Sequence, residues 1–378
     1  IEAPELPGLV SKLSAAAGRV RPEGDVTLAG GALWIGCAPF DNGGGGRFGA
    51  ARFVLPRIAF VSAGGGSRCV VAGVASRDEG LRRRDALLVD LLRPAPAPRP
   101  AEPGRWTLEA AEASASFRRR VIDALEAIAR GALQKVVLAR EVRASADHPI
   151  DVPRLLAALR GGQPEATRFA LRREGAWWLG ATPEQLVRVS GERVETAAVA
   201  GTVPRGRSPE VDAARARALR ESKKDQEEHA WVREALREAL ATRVDGLKVP
   251  EAPTVRAAGG VYHLHTPLRA RRRTGVGALE LAAALHPTPA VAGTPTAAAV
   301  CWLREREPLT RGPYAGPVGW LGADGSGDLA VALRCALVEG REARCFAGAG
   351  IVAGSDPAGE LAEIRLKLRA VLGPLLEL

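Results

Sequence analysis

The sequence predicts an α+β fold. Short apolar, strand-like runs and stretches of helical periodicity are grouped along the chain instead of alternating regularly, which argues against a doubly wound sheet. With 46% hydrophobic residues over 378 positions there is enough apolar side chain for a substantial core. No run of about 18 consecutive apolar residues calls for a membrane. Ile1 is not followed by a basic stretch and an apolar one, so no signal peptide is read, and a cytoplasmic location is the expectation.

Before residue 93, apolar runs at 32–35, 52–55, 59–61 and 69–74 lie between Gly-rich turns and predict a β-rich N-terminal part. The segment 42–49 (NGGGGRFG) lacks the Lys-Ser/Thr of a phosphate loop and reads as a surface loop. Residues 93–105 (RPAPAPRPAEPGR) read as a stiff connector. The expected division is therefore 1–104, the β-rich part with its connector, and 105–378, the larger region that carries the motifs described below, both within one continuous structural unit.

Past the connector, Val121, Ile122, Leu125 and Ile128 give 108–133 helical spacing, and 135–142 (KVVLAREV) reads as a buried strand. Strands are expected at 168–172, 176–180 and 192–199, the last leading into a loop at Gly201 and Thr202. Ser208 as N-cap and Pro209 at the first helical position open a helical region, and 210–244 holds one long helix or two. Strands at 254–257 and 260–264, helices at 279–285 and 296–306, strands at 314–321, 328–338 and 343–346, and an amphipathic helix at 357–376 complete the chain.

Composition narrows the function. Five scattered cysteines without C-x-x-C spacing argue against a disulfide framework or a zinc site. A net charge of +10 raises the question of nucleic acid, but the basic clusters are spread along the chain and only 4% of residues are aromatic. Those clusters read as solvated faces. Only six of the 53 basic residues are lysine: Lys12, Lys135, Lys223, Lys224, Lys248 and Lys367. A site that needs a neutral amine as base accepts Lys but not Arg, so each lysine is a candidate.

Asp225 and Glu228 are three apart on one helix face, and Glu360, Glu363 and Lys367 share a face of the last helix. Carboxylates without His or Cys companions suit a hard cation such as Mg²⁺. Lys135, at the start of a buried strand, is placed for desolvation and for use as a base. Glu184 follows LGATP at an expected strand-to-helix turn, where a side chain reaches into a cleft. Arg334, in the apolar run VALRCA, needs a carboxylate from protein or ligand and is a candidate substrate clamp. Gly348, Gly350 and Gly354 leave backbone N–H groups accessible ahead of Ser355 and Asp356, an arrangement able to seat an anion.

Taken together, KVVLAR from Lys135, LGATPEQLVR from Leu179, TAAVAGTVPRG from Thr196, SKKDQEEH from Ser222, HPTPAVAG from His286, YAGPVGW from Tyr314, VALRCA from Val331 and FAGAGIVAGSDPAGELAEIRLK from Phe346 resemble the chorismate-utilising enzymes. The resemblance covers residues 133–376 and is loose before them. It implies an anthranilate synthase component I-like fold of packed β-sheets with surrounding helices. It also implies a magnesium site with Glu228 and Glu363 as ligands, supported by Asp225 and Glu360, and chorismate contacts at Gly201, Thr202, Ala290, Tyr314, Arg334, Gly348 and Lys367.

Aminating relatives generally carry glutamine at the position of Lys135, whereas hydroxylating and salicylate-forming relatives carry lysine. The resemblance therefore points to water as nucleophile, with Lys135 as base and Glu184 as acid. Ala200 stands where a covalent aminating route would have lysine. HPTPAVAG and YAGPVGW are most similar to isochorismate synthases, which supply siderophore or menaquinone biosynthesis. The alternatives are a salicylate synthase, which goes on to eliminate pyruvate, and a basic nucleic-acid-binding protein on the same scaffold. A monomer without nucleic-acid or membrane partners is expected.

Overall fold

The buried strand expected from residue 135 forms as Lys135–Ala146 and organises one of two large sheets. The computed structural model describes residues 2–3, 7–10, 12, 33–41, 47–56, 58–63, 66–71, 78–79, 81–82, 85–86, 89, 104–258 and 260–378. Most of the connector read at 93–105, the start of the 42–49 loop and the ends of several N-terminal strands lie outside these residues.

Among the described residues, a seven-stranded sheet runs Gly293–Thr294, Lys135–Ala146, Glu342–Val352, Cys335–Glu339, Ala176–Thr182, Thr167–Arg173, with Trp106–Ala110 also paired to Lys135–Ala146. A ten-stranded sheet runs Glu2–Ala3, Ala51–Val54, Leu33–Cys37, Pro317–Gly322, Gly327–Val331, Gln185–Ser190, Arg193–Pro204, Val261–Arg272, Val244–Lys248, with Thr254–Ala258 also on Val261–Arg272. The described pairings in both are antiparallel, as expected where hairpins rather than crossover helices join the strands. N-terminal strands enter the ten-stranded sheet through Leu33–Cys37, which pairs with Pro317–Gly322. One apolar cluster, including Phe53, Val136, Trp178 and Leu329, spans both sheets.

Two helices bring acidic faces towards the space between the sheets. Pro357–Leu376 is opened by Asp356, whose side chain accepts from Gly359 N at 2.7 Å, and it buries Leu361, Ile364, Leu368, Val371 and Leu375 at alternating spacings of three and four. It packs on the Glu342–Val352 strand. The region 210–244 resolves into two helices, Pro209–Glu221 and Lys223–Ala241, because Ser222 takes an extended conformation and caps the second by accepting from Asp225 N at 3.3 Å. The second helix packs on Arg193–Pro204. The cap places Asp225 in its first turn.

Several expected elements differ. Residues 106–110 form an edge strand on Lys135–Ala146, and the helix begins only at Ser114; pairing with a long buried strand outweighs the helical spacing of that stretch. The strand expected at 314–321 starts at Pro317, after a turn containing Tyr314 and Ala315. The run 328–338 is two strands: Gly327–Val331 belongs to the ten-stranded sheet and Cys335–Glu339 to the seven-stranded one. Arg334 therefore sits at a corner with φ 48°, not within a strand. Glu184 also lies between two strands and leads into no helix, since Ala176–Thr182 and Gln185–Ser190 belong to different sheets.

Candidate active site

The two corners where the chain changes sheets lie side by side. Thr182 Oγ1 donates to Val331 O at 2.6 Å, and Val331 N donates to Glu184 O at 3.0 Å. Glu184 and Arg334 are thereby both held in the lining of one cavity of about 590 Å³ between the sheets. Lys135, Gly201, Thr202, Asp225, Glu228, Ala290, Tyr314, Gly348, Glu360, Glu363 and Lys367 line the same cavity. Residues drawn from eight separated segments thus converge on one space of the size that holds a small ligand.

Lys135 lies at the cavity floor and is only 2% exposed. Its Nζ is 2.8 Å from Glu228 Oε1 on the Lys223–Ala241 helix. Room for this pair comes from strand register: Lys135 pairs with Val352, Val137 with Gly350, and Ala139 with Gly348, so these residues share a face. Gly348 and Gly350 are therefore strand residues, not an anion-binding turn. The N-terminus of the last helix is closed by its own cap, with Val352 N donating to Ser355 Oγ at 3.2 Å and Gly359 N donating to Asp356. What these glycines supply is absence of side chain: a Cβ on Gly348 would stand 3.0 Å from the Tyr314 hydroxyl.

In the same cavity, burial pushes the Glu184 carboxyl up to about 7 against the pull of Lys135, Arg334 and Lys367. Glu184 is therefore able to hold a proton near neutrality. Arg334 has no carboxylate within ion-pair distance among the described residues; its guanidinium shares the cavity with the fields of Tyr314, Glu184 and Glu363. It suits a ligand carboxylate.

The acidic residues Asp225, Glu228, Glu360 and Glu363 enter from the two helices. The loop expected at Gly201 and Thr202 does not form, because the strand Arg193–Pro204 runs on through both; Gly201, with φ 70°, sits at a bulge in the pairing with Val261–Arg272 and lies against Asp225, where a Cβ would meet Asp225 Oδ1 at 3.0 Å. Burial, with Glu363 nearby, raises Glu360 to about 7; burial, with Glu228 and Glu363 nearby, raises Asp225. Lys367 Nζ is 2.5 Å from Glu363 Oε1 and 2.9 Å from Gly348 O. An oxygen-only set of four carboxylates, crowded enough to raise its own proton affinities, fits a hard divalent cation. As the side chains stand, no three acidic, His or Cys groups among the described residues converge on a point, while lysines hold Glu228 and Glu363.

Sequence reasoning missed His263. Its Nδ1 is 3.0 Å from Thr202 Oγ1 and 3.1 Å from Gly201 O, which can only accept, so Nδ1 carries the proton and Nε2 is left as an acceptor. Burial lowers its pKa to about 3, keeping the ring neutral. Alternation in VYHLHTPL identifies a strand but not which face meets the cavity. Also missed was the support behind the floor. Arg311 pairs with Glu307 at 2.6 Å and donates to Val137 O at 2.6 Å and Val291 O at 2.8 Å, while Glu307 accepts from Ala139 N at 2.7 Å. This buried pair ties the strand carrying Lys135 to the turn carrying Ala290.

The family model described as chorismate binding enzyme matches residues 14–376. The salicylate biosynthesis isochorismate synthase of Pseudomonas aeruginosa is 44% identical over 265 residues, 69% of this chain and 55% of that protein. The chain thus spans just over half the length of that relative. Among solved structures, MenF, the menaquinone-specific isochorismate synthase from Escherichia coli, superposes with a TM-score of 0.83 at 26% identity, covering 98% of this chain and 84% of that one. Anthranilate synthase component I from Streptococcus pneumoniae shares the fold, with a TM-score of 0.83 at 23% identity over 96% and 85% of the two chains. A match over nearly the whole sequence, on a scaffold that gathers the motif residues around one cavity, establishes that the chain belongs to the chorismate-binding enzyme family.

Proposed function

We propose that the protein is an isochorismate synthase that adds water at C2 of chorismate with loss of the C4 hydroxyl, assisted by Mg²⁺. The observation that carries this reading is the meeting of two opposed roles in one cavity: the buried Lys135 amine and the Glu184 carboxyl, which burial lifts to about 7. An acid and a base held apart in this way serve a displacement in which one group accepts the proton of attacking water and the other protonates the leaving hydroxyl.

In this reading the Lys135 amine removes a proton from water as its oxygen bonds to C2, both ring double bonds shift (C1=C2 to C1=C6 and C5=C6 to C4=C5), and the C4–O bond breaks as Glu184 delivers its proton. Water leaves from C4. Arg334, with Tyr314 beside it, holds the enolpyruvyl carboxylate, and Gly201, Thr202, Ala290, Gly348 and Lys367 shape the rest of the pocket. Enzymes of this family depend on a metal, and the metal proposed here is magnesium, held by Glu228 and Glu363 with Asp225 and Glu360 in support. When bound it neutralises and orients the ring carboxylate. Each proton-transfer group contributes on the order of 10²- to 10⁴-fold.

The reading includes a cytoplasmic monomer without nucleic acid. No described helix is long and apolar enough to cross a membrane, and many surface arginines are engaged by acids, as in Arg188–Asp328 and Arg344–Glu141. Incubation with chorismate and Mg²⁺ followed by chromatography tests the activity. Isochorismate as the sole new product supports it; salicylate with pyruvate favours the salicylate synthase alternative, and unchanged chorismate overturns it.

A further inference from the structure

Lysine is scarce in this chain, yet three of its six lysines, Lys135, Lys224 and Lys367, line one cavity with Asp225, Glu228, Glu360 and Glu363. Two make direct ion pairs, and each takes a different acid: Lys135 with Glu228 at 2.8 Å and Lys367 with Glu363 at 2.5 Å. These acids sit on different helices, and the paired lysine side chains are 2% and 13% exposed. A buried carboxylate without a counter-charge is costly, so the lysines lower the cost of keeping these acids together. An ammonium is a compact point charge on a flexible stem and can leave such a contact, whereas a guanidinium fork would hold its carboxylate in two bonds.

We infer that Lys135 and Lys367 are the resident counter-cations of Glu228 and Glu363, and that a divalent metal binds by displacing them. This rests on the proposed magnesium-assisted reaction and adds a coupling to it. While Lys135 is held by Glu228, its amine is committed to a carboxylate and not to water. Entry of the metal takes Glu228 over and frees the Lys135 side chain to turn into the cavity, so metal occupancy and placement of the amine are one event. Space for that exchange is provided by Gly350, where a Cβ would stand 3.0 Å from Lys135 Cε and 3.3 Å from Glu228 Oε1. Lys224 is exposed and forms neither of these pairs, so it provides the comparison for a purely long-range effect of charge.

The test is calorimetric titration of the full chain with MgCl₂ alone, without substrate, for wild type, Lys135→Met, Lys367→Met and Lys224→Met, each shown to be folded by its thermal melt. Displacement predicts that Lys135→Met and Lys367→Met bind Mg²⁺ about tenfold more tightly or better, and Lys224→Met changes affinity by less than about threefold. Unchanged or weaker binding by both paired-lysine variants overturns the proposal, as does equal tightening by Lys224→Met, which would show a field effect without displacement. Absence of binding in all four chains overturns it together with the metal site. If Lys135→Met fails to fold, Lys367→Met decides. Wild-type turnover of chorismate, measured separately, distinguishes the two readings: turnover with unchanged variant affinities overturns displacement alone, and tighter binding without turnover overturns the isochorismate synthase reading alone.

Discussion

Gly350 lies so close to Lys135 that any side chain there would push the lysine aside: a Cβ at 350 would lie 3.0 Å from Lys135 Cε. Its φ is not in the left-handed region, so the backbone itself tolerates other residues. The requirement is space. Gly350→Ala should therefore fold with unchanged or slightly raised stability, since alanine in a strand recovers about 0.5–1 kcal/mol, yet lose about tenfold in kcat/KM. Gly350→Val should lose 10²-fold or more, in keeping with the rate cost of misplacing a reacting group by about 1 Å. Steady-state rates set beside thermal melts separate the two effects.

Glu184, raised by burial to about 7, must be protonated to act as an acid. The rate kcat/KM should fall as pH rises through about 7, and Glu184→Gln should remove that limb along with about 10²- to 10⁴-fold of activity. Stability runs in a linked direction. Because the folded-state pKa lies above the unfolded value, the folded protein binds the proton more tightly, and the contribution is complete below about 4.5 and lost as pH rises to 7. At pH 8 Glu184→Gln should be more stable than wild type by about 1–2 kcal/mol, measured by urea unfolding.

Arg334 occupies a sheet-changing corner with φ 48° and lacks a protein carboxylate partner among the described residues. Arg334→Lys keeps the charge but loses the two-bond geometry, so the KM for chorismate should rise by about 10- to 100-fold with a smaller change in kcat. An unchanged KM in steady-state assays would remove Arg334 from substrate binding.

The pair Glu307–Arg311 is buried beneath the strand of Lys135, and Arg311 lies 4.2 Å over the Phe40 ring. Arg311→Met leaves Glu307 with only Arg120, 4.0 Å away and already paired to Glu112, and should cost about 3 kcal/mol in denaturant unfolding. Adding Glu307→Gln should recover part of that loss. Additive losses would instead show that the two residues do not act as a pair.

What the sequence revealed of this site follows from how its information is stored. Motifs carry residue identity, so thirteen separated positions could be named before any geometry was known, and the structure sets all of them around one cavity. The long final helix was legible because its cap, first-position proline and spacing agree. The two sheet-changing corners were not: VALRCALV is apolar apart from Arg334 whether its residues remain in one sheet or cross to another, and Pro183 ahead of Glu184 marks a break without encoding whether a helix or a strand follows. The helix Val152–Gly162 was overlooked although Asp151, Pro153, Leu155 and Leu159 mark it. His263 and the Glu307–Arg311 pair escaped because their roles depend on contacts between distant segments, which local periodicity does not encode.

The central claim is that Lys135 activates water. Its most direct test is Lys135→Ala, assayed for isochorismate formation and, in parallel, for chorismate binding in the presence of Mg²⁺. The account predicts a loss of turnover of at least about 10³-fold with chorismate affinity retained. A variant that binds chorismate and forms isochorismate at the wild-type rate would contradict it.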